Sequence, residues 1–153
     1  MKNLLKFTLG LLVCATLFSC DKDDDDNSPA GNTIEMNGES FKIDMNVFSY
    51  NSFGDVETSS INLVNLDSSS TLAIMLVNTT GESVDGTYVF PGELTDLRRL
   101  DGTNYMANSS MTSIKEGTVS VSKDGDIYTL VIDITMEDDT TFKGEYTEEL
   151  VAM

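Results

Sequence analysis

From Thr33 onward the apolar residues recur at every second position rather than every third or fourth. The clearest run places Tyr128, Leu130, Ile132, Ile134 and Met136 on one side and Thr129, Val131, Asp133 and Thr135 on the other. That is the period of a half-buried strand. Just before it, Val119 and Val121 alternate with Thr118, Ser120 and Ser122, and Lys123-Asp124-Gly125-Asp126 joins the two runs. Asp-Gly supplies the positive φ that a tight hairpin needs. Glu137-Asp138-Asp139 then turns the chain into Thr140 to Leu150, where Phe142 and Tyr146 share a face, which predicts a C-terminal meander.

The N-terminal half repeats this logic. Asn37-Gly38 is expected to join a short strand, Thr33 to Met36, to a longer one that carries Phe41, Ile43, Met45 and Val47 inward. The change of parity to Phe48 and Tyr50 predicts a bulge. Ile61 to Leu66 and Leu72 to Val77 read as a hairpin around Asp67-Ser68-Ser69-Ser70. The second of these strands is apolar on both faces, which places it centrally. Gly86 to Phe90 adds a strand that Pro91-Gly92 stops.

Between Glu93 and Lys115 the pattern is mixed: Leu94, Leu97 and Leu100 suit one or two amphipathic helical turns, and Tyr105-Met106-Ala107 suits a strand. Eight or nine strands joined by short connections make an all-β, single-domain antiparallel meander, which must stack or close to hide its faces. A β-sandwich is the expectation and a calycin-like β-barrel the alternative.

The first twenty residues follow another plan. Lys2 and Lys6 precede a run from Phe7 to Phe18 broken only by Thr8, Gly10 and Thr16. As a helix it would reach roughly 18 Å, well short of the roughly 30 Å hydrocarbon core, so it reads as a secretory signal and not a membrane span. The run ends Leu17-Phe18-Ser19-Cys20, which resembles the lipobox of bacterial lipoproteins, although Phe18 stands where that family usually has a smaller residue. The resemblance implies cleavage after residue 19, with Cys20 carrying diacylglycerol and an acylated amino group. Two or three acyl chains, at about 0.8 kcal/mol per buried methylene, would make membrane lipid a lasting partner. Cys14 would leave with the signal, so the mature chain would hold no free thiol and no disulfide.

Residues 20–32 read as a lipidated cysteine and an acidic tether, and 33–153 as the domain. The tether, from Asp21 through Asp26 to Asn32, has too little apolar surface to offset the entropy of ordering. Asp21, Lys22, Asp23 and Asp24 resemble the surface-export signal of Bacteroidota-type lipoproteins, implying the outer face of the outer membrane. Aspartate directly after the cysteine also resembles the retention signal of enteric-type lipoproteins, implying a periplasmic face. Asp21, Asp23 and Asp25 match three positions of an EF-hand loop, but Asp26 replaces its glycine and Asn32 its glutamate, so no metal site is assigned.

All twenty-six acidic residues lie after the signal against seven basic ones, so the mature formal charge is −19. Such a field repels nucleic acid. The chain has no histidine, which removes the usual base of nucleophile systems and the commonest zinc ligand. Paired carboxylates, as in glycoside hydrolysis, are all that remains for an enzyme. Asp138-Asp139, Glu148-Glu149 and Asp124/Asp126 fall in predicted turns or a terminal strand, where solvated charges are expected. No catalytic residue and no cofactor is therefore assigned. Most aromatics sit at inward positions, which leaves Tyr50, Phe53 and Tyr105 as candidate ligand platforms. Arg98-Arg99 is the only basic pair, suited to grip an acidic group or to balance Asp96 and Asp101.

Gly117-Thr118-Val119-Ser120-Val121, Tyr128-Thr129-Leu130 and Gly144-Glu145-Tyr146-Thr147 together resemble the small β-domain lipoproteins of Bacteroidota, over most of 33–150. The likeness implies fold and location only. Asp139-Thr140-Thr141 resembles the O-glycosylation motif of that group, with Thr140 as acceptor. The expected function is a surface-exposed binding or accessory lipoprotein, with a glycan or an outer-membrane protein as partner. A structural lipoprotein pairing through a sheet edge is the alternative, and a carboxylate hydrolase a distant third.

Overall fold

The computed structural model describes residues 31–93 and 96–152. The signal, Cys20, Asp21, Lys22, Asp23, Asp24 and the rest of the tether up to Ala30 lie outside the described residues, as does Leu94. The paired chain begins at Gly31, whose carbonyl accepts the Thr147 N–H at 3.0 Å, and Asn32 bridges Tyr146.

Among the described residues ten strands form: β1 (Glu35–Met36), β2 (Glu39–Ser40), β3 (Met45–Phe53), β4 (Val56–Asn65), β5 (Ser70–Thr79), β6 (Gly86–Phe90), β7 (Asn104–Ala107), β8 (Ser110–Asp124), β9 (Ile127–Met136) and β10 (Thr141–Glu149). They belong to one antiparallel sheet in the order β2-β1-β10-β9-β8-β7-β5-β4-β3, with β6 added alongside β8. The all-β, largely meander character expected from the alternation is present. Four hairpins have two-residue loops. Asn37-Gly38 and Asn108-Ser109 hold both residues at positive φ, whereas Gly54-Asp55 and Gly125-Asp126 do so only at the glycine. These are the two loop geometries whose twist matches that of paired strands.

The sheet curls so that its inner faces share one core. Phe142 on β10 and Tyr105 on β7 have ring centroids 5.0 Å apart, although two strands lie between them. At the other end Phe48 on β3 meets Tyr128 on β9 at 5.7 Å. The sheet is nevertheless not closed into a barrel, which removes the calycin-like alternative. One edge ends in the two-residue strands β1 and β2, too short to carry a closing ladder. Among the described residues the free backbone edge of β3 is met by the C-terminal segment, while Asn46 Nδ2 donates to the Tyr146 hydroxyl of β10 at 2.8 Å. There the Phe48 N–H donates to Val151 O at 2.8 Å and the Val151 N–H to Asn46 Oδ1 at 2.9 Å.

Three local expectations need correction. The parity change before Phe48 is no bulge, because β3 pairs with β4 in unbroken register from Met45 to Phe53. The chain instead bends at 41–44, leaving Phe41 and Ile43 buried and turning Met45 outward. The true irregularity lies between Ile114 and Glu116 on β8. It moves the inward set from Ile114 to Val119 and Val121, as an extra residue in a two-residue period must.

The leucines around 97–100 make no helix among the described residues. Arg99 exchanges both backbone hydrogen bonds with Val77, and the Leu100 N–H donates to Val89 O, so the segment wedges between β5 and β6. Those strand edges capture its backbone, burying Leu100 and leaving Leu97 61% exposed. Thr103 completes the seam, its Oγ1 accepting the Met75 N–H at 3.0 Å.

Candidate functional site

At the end of the sheet that carries the Gly54-Asp55 and Gly125-Asp126 turns, inward alternation runs out before the strands do. The last inward aromatics there run from buried Tyr88 and Tyr128 through half-buried Phe48 to exposed Tyr50. Phe48 and Tyr50 on β3, Tyr88 on β6 and Tyr128 on β9 line a cleft of about 320 Å³. Glu57 on β4, together with Glu82 and Val84 from the loop after β5, completes its walls, and Lys123 stands at the β8–β9 corner. A second lobe of about 510 Å³ shares Phe48, Lys123 and Tyr128 and extends past Asp126 and Glu149 to Ala152. The two lobes meet at one aromatic partition.

The loop 80–85 is fixed by side chains rather than by a ladder. Buried Asn78 donates from Nδ2 to Ser83 O at 2.9 Å and accepts the Thr79 N–H at Oδ1. The Tyr88 hydroxyl donates to Val84 O at 2.9 Å. Arg98 lies across Gly86, where any Cβ would meet its side chain, and donates to Ser83 O at 3.1 Å. Asp85 Oδ1 accepts the Lys123 N–H at 2.7 Å, tying this loop to the β8–β9 hairpin. The walls are thus held at positions set by the sheet.

The charges around the cleft are in contact with the rings. Lys123 Nζ lies 4.9 Å from the centroid of Tyr128, a cation–π distance. A hydrogen bond to Tyr128 raises the Lys123 pKa, keeping it cationic. A hydrogen bond to Glu57 raises the Tyr50 pKa, and Glu57 also accepts the Gly81 N–H at 3.1 Å. Burial raises the Tyr88 pKa, opposed by neighbouring Arg98. Tyr50 and Tyr88 therefore stay neutral at neutral pH.

The candidates from the sequence separate in space. Tyr50 lines the cleft, 55% exposed. Phe53 sits beyond it at the hairpin, 89% exposed. Tyr105 lies at the opposite end, half-buried against Phe41 and Phe142. Arg98 braces the loop, while Arg99 pairs with Asp101 at 2.7 Å and donates to Asp96 O. The two arginines therefore form no joint anion grip. Thr140 follows the β9–β10 turn, its N–H donating to Asp138 Oδ1, beside an Asp139 that pairs with Lys115 at 2.7 Å. Among the described residues no three metal-ligating side chains converge.

Tyr88 and Tyr128 are core residues, as their inward positions predict, and Phe48 packs against that core. Sequence reasoning did not find that these three rings also floor the cleft, nor that Glu57 and Glu82 stand on its walls. A signal existed: Tyr128 is the first inward residue after the Gly125-Asp126 turn, and Phe48 and Tyr50 share a parity distinct from Phe41 and Ile43.

These features define an all-β protein with an aromatic-floored cleft at one end of a single curled sheet. No protein-family model matches the chain, and neither does any curated protein or solved structure.

Proposed function

We propose that this chain is a surface-displayed outer-membrane lipoprotein, anchored through acylated Cys20, that acts as a binding or accessory module and not as an enzyme. The observation that carries the binding role is the two-lobed cleft, with four aromatic rings and several carboxylates on a braced frame. Such a site orients a small ligand without supplying an activated nucleophile or base. The lipobox residues and the aspartate run from Asp23 to Asp26 support the anchor and the outer-surface address. In fold terms, the reading treats the two curled halves of the sheet as the layers of a sandwich.

Two experiments test it. Cys20→Ala should abolish palmitate incorporation, and protease added to intact cells should remove the wild-type, acylated protein. A soluble product beginning at Met1 would overturn the anchor. A glycan array should then show binding that Tyr50→Ala abolishes. Binding unchanged by Tyr50→Ala would move the site away from the cleft.

A second reading has its own observation. β3 pairs only with β4, and beyond Phe48 its other edge carries no strand partner among the described residues, next to exposed Tyr50 and Phe53. An open edge of this kind accepts a strand from another chain. Co-purification with an outer-membrane protein, lost on Ser52→Pro, whose N–H faces the open edge, and independent of glycan, would favour that role.

A further inference from the structure

The lobes of the cleft share a feature that a neutral ligand does not need. Each carries two carboxylates, Glu57 and Glu82 in one and Asp126 and Glu149 in the other, and the aromatic partition of Phe48 and Tyr128 lies between them. Against these four acids the lining sets one cation, Lys123, in a chain of formal net charge −17. That cation is itself informative. An alkylammonium group, on a chain of methylenes, already rests 4.9 Å from the Tyr128 centroid at the junction of the lobes. The junction therefore accepts an aliphatic ammonium, with π density on one side and carboxylates beyond.

We propose that the two-lobed cleft binds linear aliphatic polyamines. The terminal ammonium groups take the carboxylates of the two lobes, and the methylene chain lies on the Phe48–Tyr128 partition. Lys123 occupies part of this track in the free protein and swings toward solvent as the ligand enters. Its backbone N–H stays tied to Asp85, so only the exposed side chain moves. No bond is made or broken. The proposal rests on the binding-module reading and names its ligand class.

Calorimetric titration of the full chain in a polyoxyethylene detergent, which brings neither ammonium nor sugar, tests it at physiological ionic strength. Cadaverine should bind saturably, about tenfold more tightly than pentylamine, which reaches one lobe only, and pentanediol should not bind. Glu57→Gln and Glu149→Gln, one in each lobe, should each weaken cadaverine roughly three- to tenfold. Glu35→Gln, on β1 away from the cleft, should leave it unchanged. Lys123→Met should tighten binding several-fold, an outcome that a misfolded variant cannot mimic.

Equal weakening by Glu35→Gln would reduce the effect to bulk charge and overturn the proposal. Pentanediol binding as tightly as cadaverine would also overturn it while leaving a working cleft, and with it the module. No uptake of either amine overturns the polyamine assignment alone, because the glycan and partner captures above decide the module separately.

Discussion

The curl of the sheet makes a quantitative demand on two aromatic residues that the strand order keeps apart. β10 and β7 are three steps apart along the sheet, roughly 14 Å if it were flat at about 4.8 Å per step. Yet Phe142 and Tyr105 have centroids 5.0 Å apart at an interplanar angle of 61°, and Phe142 also meets Phe41 at 5.4 Å and 86°. Edge-on pairs of this kind contribute about 0.5–1.5 kcal/mol beyond area burial. Phe142 is fully buried, so Phe142→Leu loses two such contacts and leaves a void, for about 2–3 kcal/mol. Tyr105→Leu, at a half-buried site, should cost about 1–2 kcal/mol. The double variant should fall short of additivity by about 1 kcal/mol. Pairing Phe142→Leu with Phe48→Leu, at the opposite end, should instead be additive within about 0.5 kcal/mol. Urea unfolding followed by circular dichroism measures each value, and a stability of roughly 6–18 kcal/mol for a domain of this size leaves the variants folded. A Phe142–Tyr105 coupling indistinguishable from zero would refute the curled arrangement.

Other consequences follow from single positions. Gly144 holds φ at +130° where a Cβ would strike the backbone of Thr33 and Ile34, so Gly144→Ala should cost about 3 kcal/mol, against about 1 kcal/mol for Gly38→Ala, which faces open space. The Asp44 carboxylate is held below its usual range by Lys42 and by the Leu66 N–H, and that of Asp139 by Lys115. A depressed carboxylate binds its proton more weakly in the folded state. Its stabilisation is therefore complete above the ordinary value of about 3.9 and is lost as pH falls through the lower folded one. Asp44→Asn should thus flatten the acid limb of stability against pH while leaving its shape near neutrality unchanged. Arg98→Ala removes one of the two side-chain donors to the Ser83 carbonyl and the brace across Gly86, so amide exchange should accelerate across 80–85 while β9 and β10 stay protected.

Much of the fold was legible because alternation with period two leaves little choice of face. β9 and the apolar β5 lie as expected, and so do the hairpin turns at Asn37-Gly38 and around Gly125. What escaped was decided by tertiary competition. The leucine spacing around 97–100 suits a helix turn, but the unpaired edges of β5 and β6 bind that backbone first. The bend at 41–44 and the irregularity at Ile114 each shift parity by one residue, which a strand pattern alone cannot place. The candidate site was half legible. Tyr50 was found because it sits where inward alternation ends, whereas Tyr128 and Phe48 carry the same alternation as core residues. Only the chain reversal at Gly54 and Gly125 brings them to a common opening. Arg98 and Arg99, adjacent in sequence, enter different networks: Arg98 lies in a bend and reaches the 80–85 loop, while Arg99 bridges Val77 and Val89 and pairs with Asp101.

The central claim is that ligand is received by the aromatic-floored end of the sheet, and nuclear magnetic resonance of the tyrosine and phenylalanine rings tests it most directly. On titration of the full chain with cadaverine, the account predicts ring shifts at Tyr50, Tyr88, Tyr128 and Phe48, with Tyr105 and Phe142 unmoved. Shifts centred on Tyr105, or spread evenly over all rings, would contradict it.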